Sequence, residues 1–178
     1  MGRVGTLRER GAIVSEASCL PILNPADGRR KGTARMRKAV LSAKELERLL
    51  AAEFPEAFHD GSGLAILEVW YGGARVRQEL QRNATRPGGT ISGPAIMALA
   101  DVGMYVGLLA SIGWVPLAVT TNLNINFLKK PAPGALVAEA RLLKLGKRLA
   151  VGEVAIRTES GGDLVAHATS TYSIPLRA

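Results

Sequence analysis

Apolar and polar positions repeat with different periods along this chain, and each period predicts an element. Ser42 stands three residues ahead of Glu45, the spacing of a capping box, and Leu46, Leu49, Leu50 and Phe54 then share one helical face before Pro55 stops the run. Residues 65–71 and 74–80 alternate on either side of the Gly72-Gly73 pair, which predicts a hairpin. Residues 81–92 are polar and rich in turn formers, a long loop of the kind that often carries function. Pro94 suits the first turn of a helix, and the stretch it opens is the most apolar of the chain. Four β-like runs follow, at residues 117–127, 135–143, 149–158 and 164–174, and their short, turn-rich connectors predict an antiparallel meander. The consistent architecture is α+β, a curved antiparallel sheet wrapped around the one helix apolar enough to be surrounded.

Residues 102–119 carry no charge for eighteen positions, long enough to raise a membrane span. Gly103, Gly107, Gly113 and Pro116 interrupt the stretch and divide it into a helix and a following strand, so a buried core helix is expected and no membrane partner. No secretory signal is expected, because Arg3, Arg8, Glu9, Arg10 and Glu16 break any apolar run.

The net charge of +8 changes meaning once it is divided. Residues 1–38 hold nine Lys and Arg against three Asp and Glu, leaving fourteen against twelve in the remainder. The basicity belongs to a tail without sustained periodicity, read as a poorly ordered N-terminal extension over residues 1–38 that precedes one domain over 39–178. Its arginines have no aromatic interleaving and no helical reader, so no nucleic-acid partner is expected. Cys19, the single cysteine, excludes an internal disulfide and fits a reducing, cytoplasmic compartment. His59 and His167 have no ligand-spaced partners, and no metal is expected.

Asp101 is the residue that asks for a chemical explanation. A lone carboxylate in an apolar helix must be paired, protonated or turned toward a cleft, which makes it a catalytic candidate. Eight residues before it, Gly93 stands where a helix can begin, about 12 Å away along its axis.

Gly89-Thr90-Ile91-Ser92-Gly93-Pro94 with Asp101, the run Val119-Thr120-Thr121-Asn122-Leu123-Asn124-Ile125-Asn126-Phe127, Pro133-Gly134 and Leu145-Gly146-Lys147-Arg148-Leu149 together resemble the hotdog-fold acyl-CoA thioesterases, in their phenylacetate-pathway (PaaI-like) branch. The resemblance covers residues 40–176. Relatives read Gly-x-x-His-Gly-Gly at the helix start; here Ser92 replaces the histidine and Pro94 the second glycine, so of that glycine pair only Gly93 offers an N–H.

The resemblance implies a hotdog fold and hydrolysis of an acyl- or aryl-CoA thioester, with Asp101 activating water or attacking the thioester and the Gly93 amide holding its oxygen. It implies a homodimer or homotetramer whose sites lie at the dimer interface, the acid from one subunit and the glycine and loop residues from its neighbour. Thr120, with Thr121 the alternative, corresponds to the residue that orients water, and Asn83 to a side-chain amide near the thioester. Ser92 is either a substrate contact or a helix cap. Lys129, Lys130, Lys147 and Arg148 are candidates for the phosphates of coenzyme A. Coenzyme A is part of the substrate, so no cofactor is expected. The alternative is a non-hydrolytic hotdog module that binds acyl-CoA, whereas a dehydratase would need a catalytic histidine near the motif.

Overall fold

The computed structural model describes residues 37–79 and 84–176. The N-terminal extension read over residues 1–38 therefore lies outside the described residues except for its last two. Of these, Arg37 reaches the domain, donating to the Tyr71 hydroxyl at 2.8 Å with its guanidinium 5.3 Å from that ring's centroid.

Helix α1 (Ala43–Glu53) opens on the expected capping box. The Ser42 amide donates to Glu45 Oε2 at 2.8 Å, the Glu45 amide returns a bond to Ser42 Oγ, and Leu46 and Leu50 are buried below. Strands β1 (Leu64–Trp70) and β2 (Gly73–Gln78) form the hairpin. Its turn is Tyr71-Gly72 rather than the glycine pair: Gly72 takes the positive φ, while Gly73 pairs with Trp70 inside the ladder. A Cβ at Gly73 would lie 2.5 Å from the Ala140 carbonyl, so close approach, not turning, demands that glycine. The loop expected over 81–92 holds a small hairpin of β3 (Thr85–Arg86) and β4 (Thr90–Ile91), too short to show a period.

Helix α2 (Gly93–Ile112) begins one residue before Pro94, which occupies the first turn. It is long and apolar enough to cross a membrane, with mean hydropathy 1.9, but most of it is buried inside the domain. Small residues let it lie close to the sheet. Gly103 faces Ala138 and Ala140, Gly107 faces the backbone of Gly73, and Gly152 leaves the room that Met104 Sδ fills.

Strands β5 (Val119–Phe127), β6 (Leu136–Leu145), β7 (Leu149–Thr158) and β8 (Leu164–Ser173) complete a six-stranded antiparallel sheet in the order β1-β2-β6-β7-β8-β5. The meander thus holds for β6, β7 and β8 but not for β5, because β2 takes the free edge of β6 and residues 128–135 carry the chain past two strands. The result is a free edge. Leu117, Val119, Phe127 and Leu128, on or beside β5, are 75%, 56%, 52% and 57% exposed.

Candidate active site

Asp101 sits half-buried on α2, and its carboxylate is held from two strands. Thr120 Oγ1 donates to Asp101 Oδ1 at 2.6 Å, and the Tyr172 hydroxyl donates to the same oxygen at 2.7 Å. Charge-assisted bonds of this length are the strong ones. A groove of about 480 Å³ opens over the carboxylate, with Glu53, Tyr105, Trp114 and Leu117 in its wall.

A bulge decides which threonine takes part. Thr120 pairs with Tyr172 and Asn122 with Thr171, so Thr121 is the extra residue. Thr120 is thereby turned toward α2, while Thr121 Oγ1 donates to the Thr171 carbonyl at 3.1 Å. Tyr172 is 2% exposed, and Tyr105 stacks on it with ring centroids 6.0 Å apart. Burial pushes the Tyr172 phenol well above the usual tyrosine range; a bond with Thr120 opposes this, and the negative charge of Asp101 adds to it. Burial also raises the Tyr105 phenol, whose hydroxyl donates to the Pro116 carbonyl at 3.1 Å.

Gly93 lies at the other end of the same helix stretch, its missing side chain covered by the Phe127 ring, which a Cβ would meet at 3.3 Å. Its N–H is one of the first-turn donors that helix geometry leaves without an intrahelical partner. Ser92 stands at the N-cap with extended backbone, but its hydroxyl makes no cap bond; its amide donates to the Ala84 carbonyl at 2.8 Å. Beside this helix start is a mainly apolar cavity of about 290 Å³, walled by Leu64, Ile91, Ala95, Ala98, Leu99 and Val102. This apolar space and the groove over Asp101 share no lining residue. That division is physical: Ala98 and Val102 face the cavity, whereas Asp101 projects from another side of the helix into the groove beside Thr120.

The four basic candidates fall into two pairs at opposite ends of the sheet. Lys129 and Lys130 follow the end of β5, and Lys147 and Arg148 lie in the β6–β7 turn, beside its beginning. Lys129 is engaged with Asp163 at 2.6 Å. Asn83 lies outside the described residues. His59 Nδ1 meets the Pro55 carbonyl and His167 Nε2 meets Glu153, and neither imidazole approaches the carboxylate. Sequence reasoning did not single out Tyr172, because its role depends on a cross-strand register that no local pattern reveals.

The model of the thioesterase superfamily matches residues 88–165. A provisionally named esterase of Saccharolobus solfataricus is 30% identical over 137 residues, spanning 76% of this chain and 87% of its own. The chain belongs to the thioesterase superfamily. Within it, a provisionally named thioesterase structure from Silicibacter sp. TM1040 is similar at 40% identity and a TM-score of 0.71, covering 80% of this chain and 97% of that one. A mutant structure of the phenylacetic acid degradation protein PaaI from Thermus thermophilus is 26% identical with a TM-score of 0.59, covering 68% and 99%. This thioesterase is of the PaaI-like hotdog kind and a thioester hydrolase.

Proposed function

We propose that this thioesterase hydrolyses acyl- or aryl-CoA to the free acid and coenzyme A, at sites each built from two copies of the chain. One observation carries the composite site. Asp101 is bonded to Thr120 at the start of the free edge strand, and Gly93 is packed on Phe127 at its end. Asp101 and Gly93 are themselves about 12 Å apart along α2 at about 1.5 Å per residue, too far for one chain to bring them to one carbonyl. Two β5 edges pairing antiparallel about a two-fold axis near Leu123 bring Asp101 of one chain to Gly93 of the other, and cover the exposed apolar residues of the edge. The same operation brings Lys147 and Arg148 of one copy toward Lys129 and Lys130 of the other, a basic rim for the phosphates of coenzyme A.

At such a site the Gly93 N–H holds the thioester oxygen as it becomes an oxyanion. The second carboxylate oxygen of Asp101 either takes a proton from the attacking water or attacks the carbonyl carbon itself; the C–S bond breaks and the sulfur leaves as thiolate. Water then hydrolyses the mixed anhydride in the second case. The apolar cavity beside Gly93 suits an acyl or aryl group. The reaction needs no cofactor, and the single cysteine fits work in the cytoplasm. A panel of aryl- and medium-chain acyl-CoAs, assayed for released thiol beside Asp101→Asn, tests the reading. Turnover that the variant loses is expected; no thiol release from any member, or equal rates for both proteins, overturns it.

A further inference from the structure

We propose that Tyr172 is a positioning residue that fixes which oxygen of Asp101 reacts. The inference rests on the role given to Asp101 above and adds a residue to it.

Asp101 Oδ1 receives two hydroxyls, from Thr120 at 2.6 Å and from Tyr172 at 2.7 Å, and the Tyr172 hydroxyl also lies 3.2 Å from the Asp101 backbone carbonyl. Among the described residues no donor reaches Oδ2. One oxygen is therefore saturated and anchored, and the other is left toward the groove, where water or a thioester carbonyl has access. The two donors differ in kind. Thr120 sits on the exposed edge strand, whereas Tyr172 is 2% exposed on β8 and clamped by the Tyr105 ring. A buried phenol on a strand that is paired on both sides has little freedom to turn, so it sets the carboxylate plane, and the floppier threonine completes it. Burial keeps the phenol protonated far into the alkaline range, which makes it a donor at any working pH.

The charged and titratable groups facing Asp101 in this groove are few. Tyr105 comes from α2 itself, Glu53 from α1 and Tyr172 from β8, while β5 contributes only the neutral Thr120. No cation lines the groove among the described residues, so the side-chain partners of the carboxylate there are hydroxyls.

The test compares wild type with Tyr172→Phe and Tyr105→Phe, each of which loses one hydroxyl and keeps its ring. Carbon-13 NMR of aspartate-labelled protein follows the Asp101 carboxyl signal at one neutral pH, with Asp101→Asn assigning it. In Tyr172→Phe the signal moves, because the anchored oxygen loses a donor. In Tyr105→Phe, whose hydroxyl serves Pro116, it stays in place. In Tyr172→Phe kcat falls about tenfold with KM retained. Coincident Asp101 signals for wild type and Tyr172→Phe overturn the proposal, as does an equal displacement in Tyr105→Phe. Should Tyr172→Phe fold poorly, Thr120→Val leaves Tyr172 as the one side-chain donor: the proposal requires the Asp101 signal to stay single and narrow there, and a split or broadened one overturns it. A displaced signal in a protein that hydrolyses no thioester would refute the proposed function and leave the Tyr172 contact standing.

Discussion

Adjacent threonines separated by a bulge offer a discriminating perturbation of the site. Thr120→Val and Thr121→Val delete the same atom from neighbouring positions on one exposed strand. Thr120 Oγ1 gives its proton to a carboxylate at 2.6 Å, and Thr121 Oγ1 gives its own to a backbone carbonyl at 3.1 Å. A bond to a charged group contributes about 1.5–3 kcal/mol and a neutral one about 1 kcal/mol. Because Thr120 is exposed, the lower part of that range applies, and about 1.4 kcal/mol of barrier is a factor of about ten in rate. Thr120→Val is expected to lower kcat about tenfold with little change in KM. Thr121→Val is expected to keep kcat and to lose at most about 1 kcal/mol of stability, a Tm change of about 2–4 °C for a domain of this size. Released thiol is measured at saturating and limiting acyl-CoA, with thermal unfolding of each variant alongside. Equal kcat losses in the two variants, or an unaffected Thr120→Val, would refute the argument that the bulge turns one threonine to Asp101 and the other away.

Gly93→Pro removes the N–H assigned to the oxyanion at a position where helices accept proline, next to an N-cap already extended. It should cost about 100- to 1000-fold in kcat/KM with the fold retained by circular dichroism, and a loss below tenfold would contradict the assignment. Alkali tests the buried phenol. Tyr172 has a raised folded-state pKa, so its contribution to stability is complete below about pH 10, the unfolded tyrosine value, and declines as pH rises beyond it. Wild-type Tm should fall more steeply above that pH than the Tm of Tyr172→Phe; parallel curves would count against a buried, protonated phenol.

Much of the fold was legible because local chemistry and tertiary structure agree. The Ser42–Glu45 box, the hairpin around Gly72, and an apolar helix long enough to need a surrounding sheet all signal themselves within a few residues. The strand order was not legible. Nothing in residues 119–127 says that they pair with β8 rather than with their successor, since that outcome depends on β2 occupying β6. Asp101, Gly93 and Thr120 stood out through charge in an apolar run and through family spacing, and the structure brings Asp101 and Thr120 into contact. Tyr172 did not, because an aromatic residue in a strand looks like ordinary core until its register is known. For the basic residues the sequence shows turns but not their placement: strand direction puts Lys129 and Lys130 at one end of the sheet and Lys147 and Arg148 at the other.

The composite site is tested most directly by complementation. Asp101→Asn and Gly93→Pro should each be nearly inactive alone, because every site of either homodimer lacks one half. Co-expressed in equal amounts, half of the dimers carry both substitutions and keep one intact site of two, so about a quarter of wild-type acyl-CoA hydrolysis should return. Activity of the mixture no greater than that of the parents, with mixed dimers verified by tagged purification, would contradict a site shared between two chains.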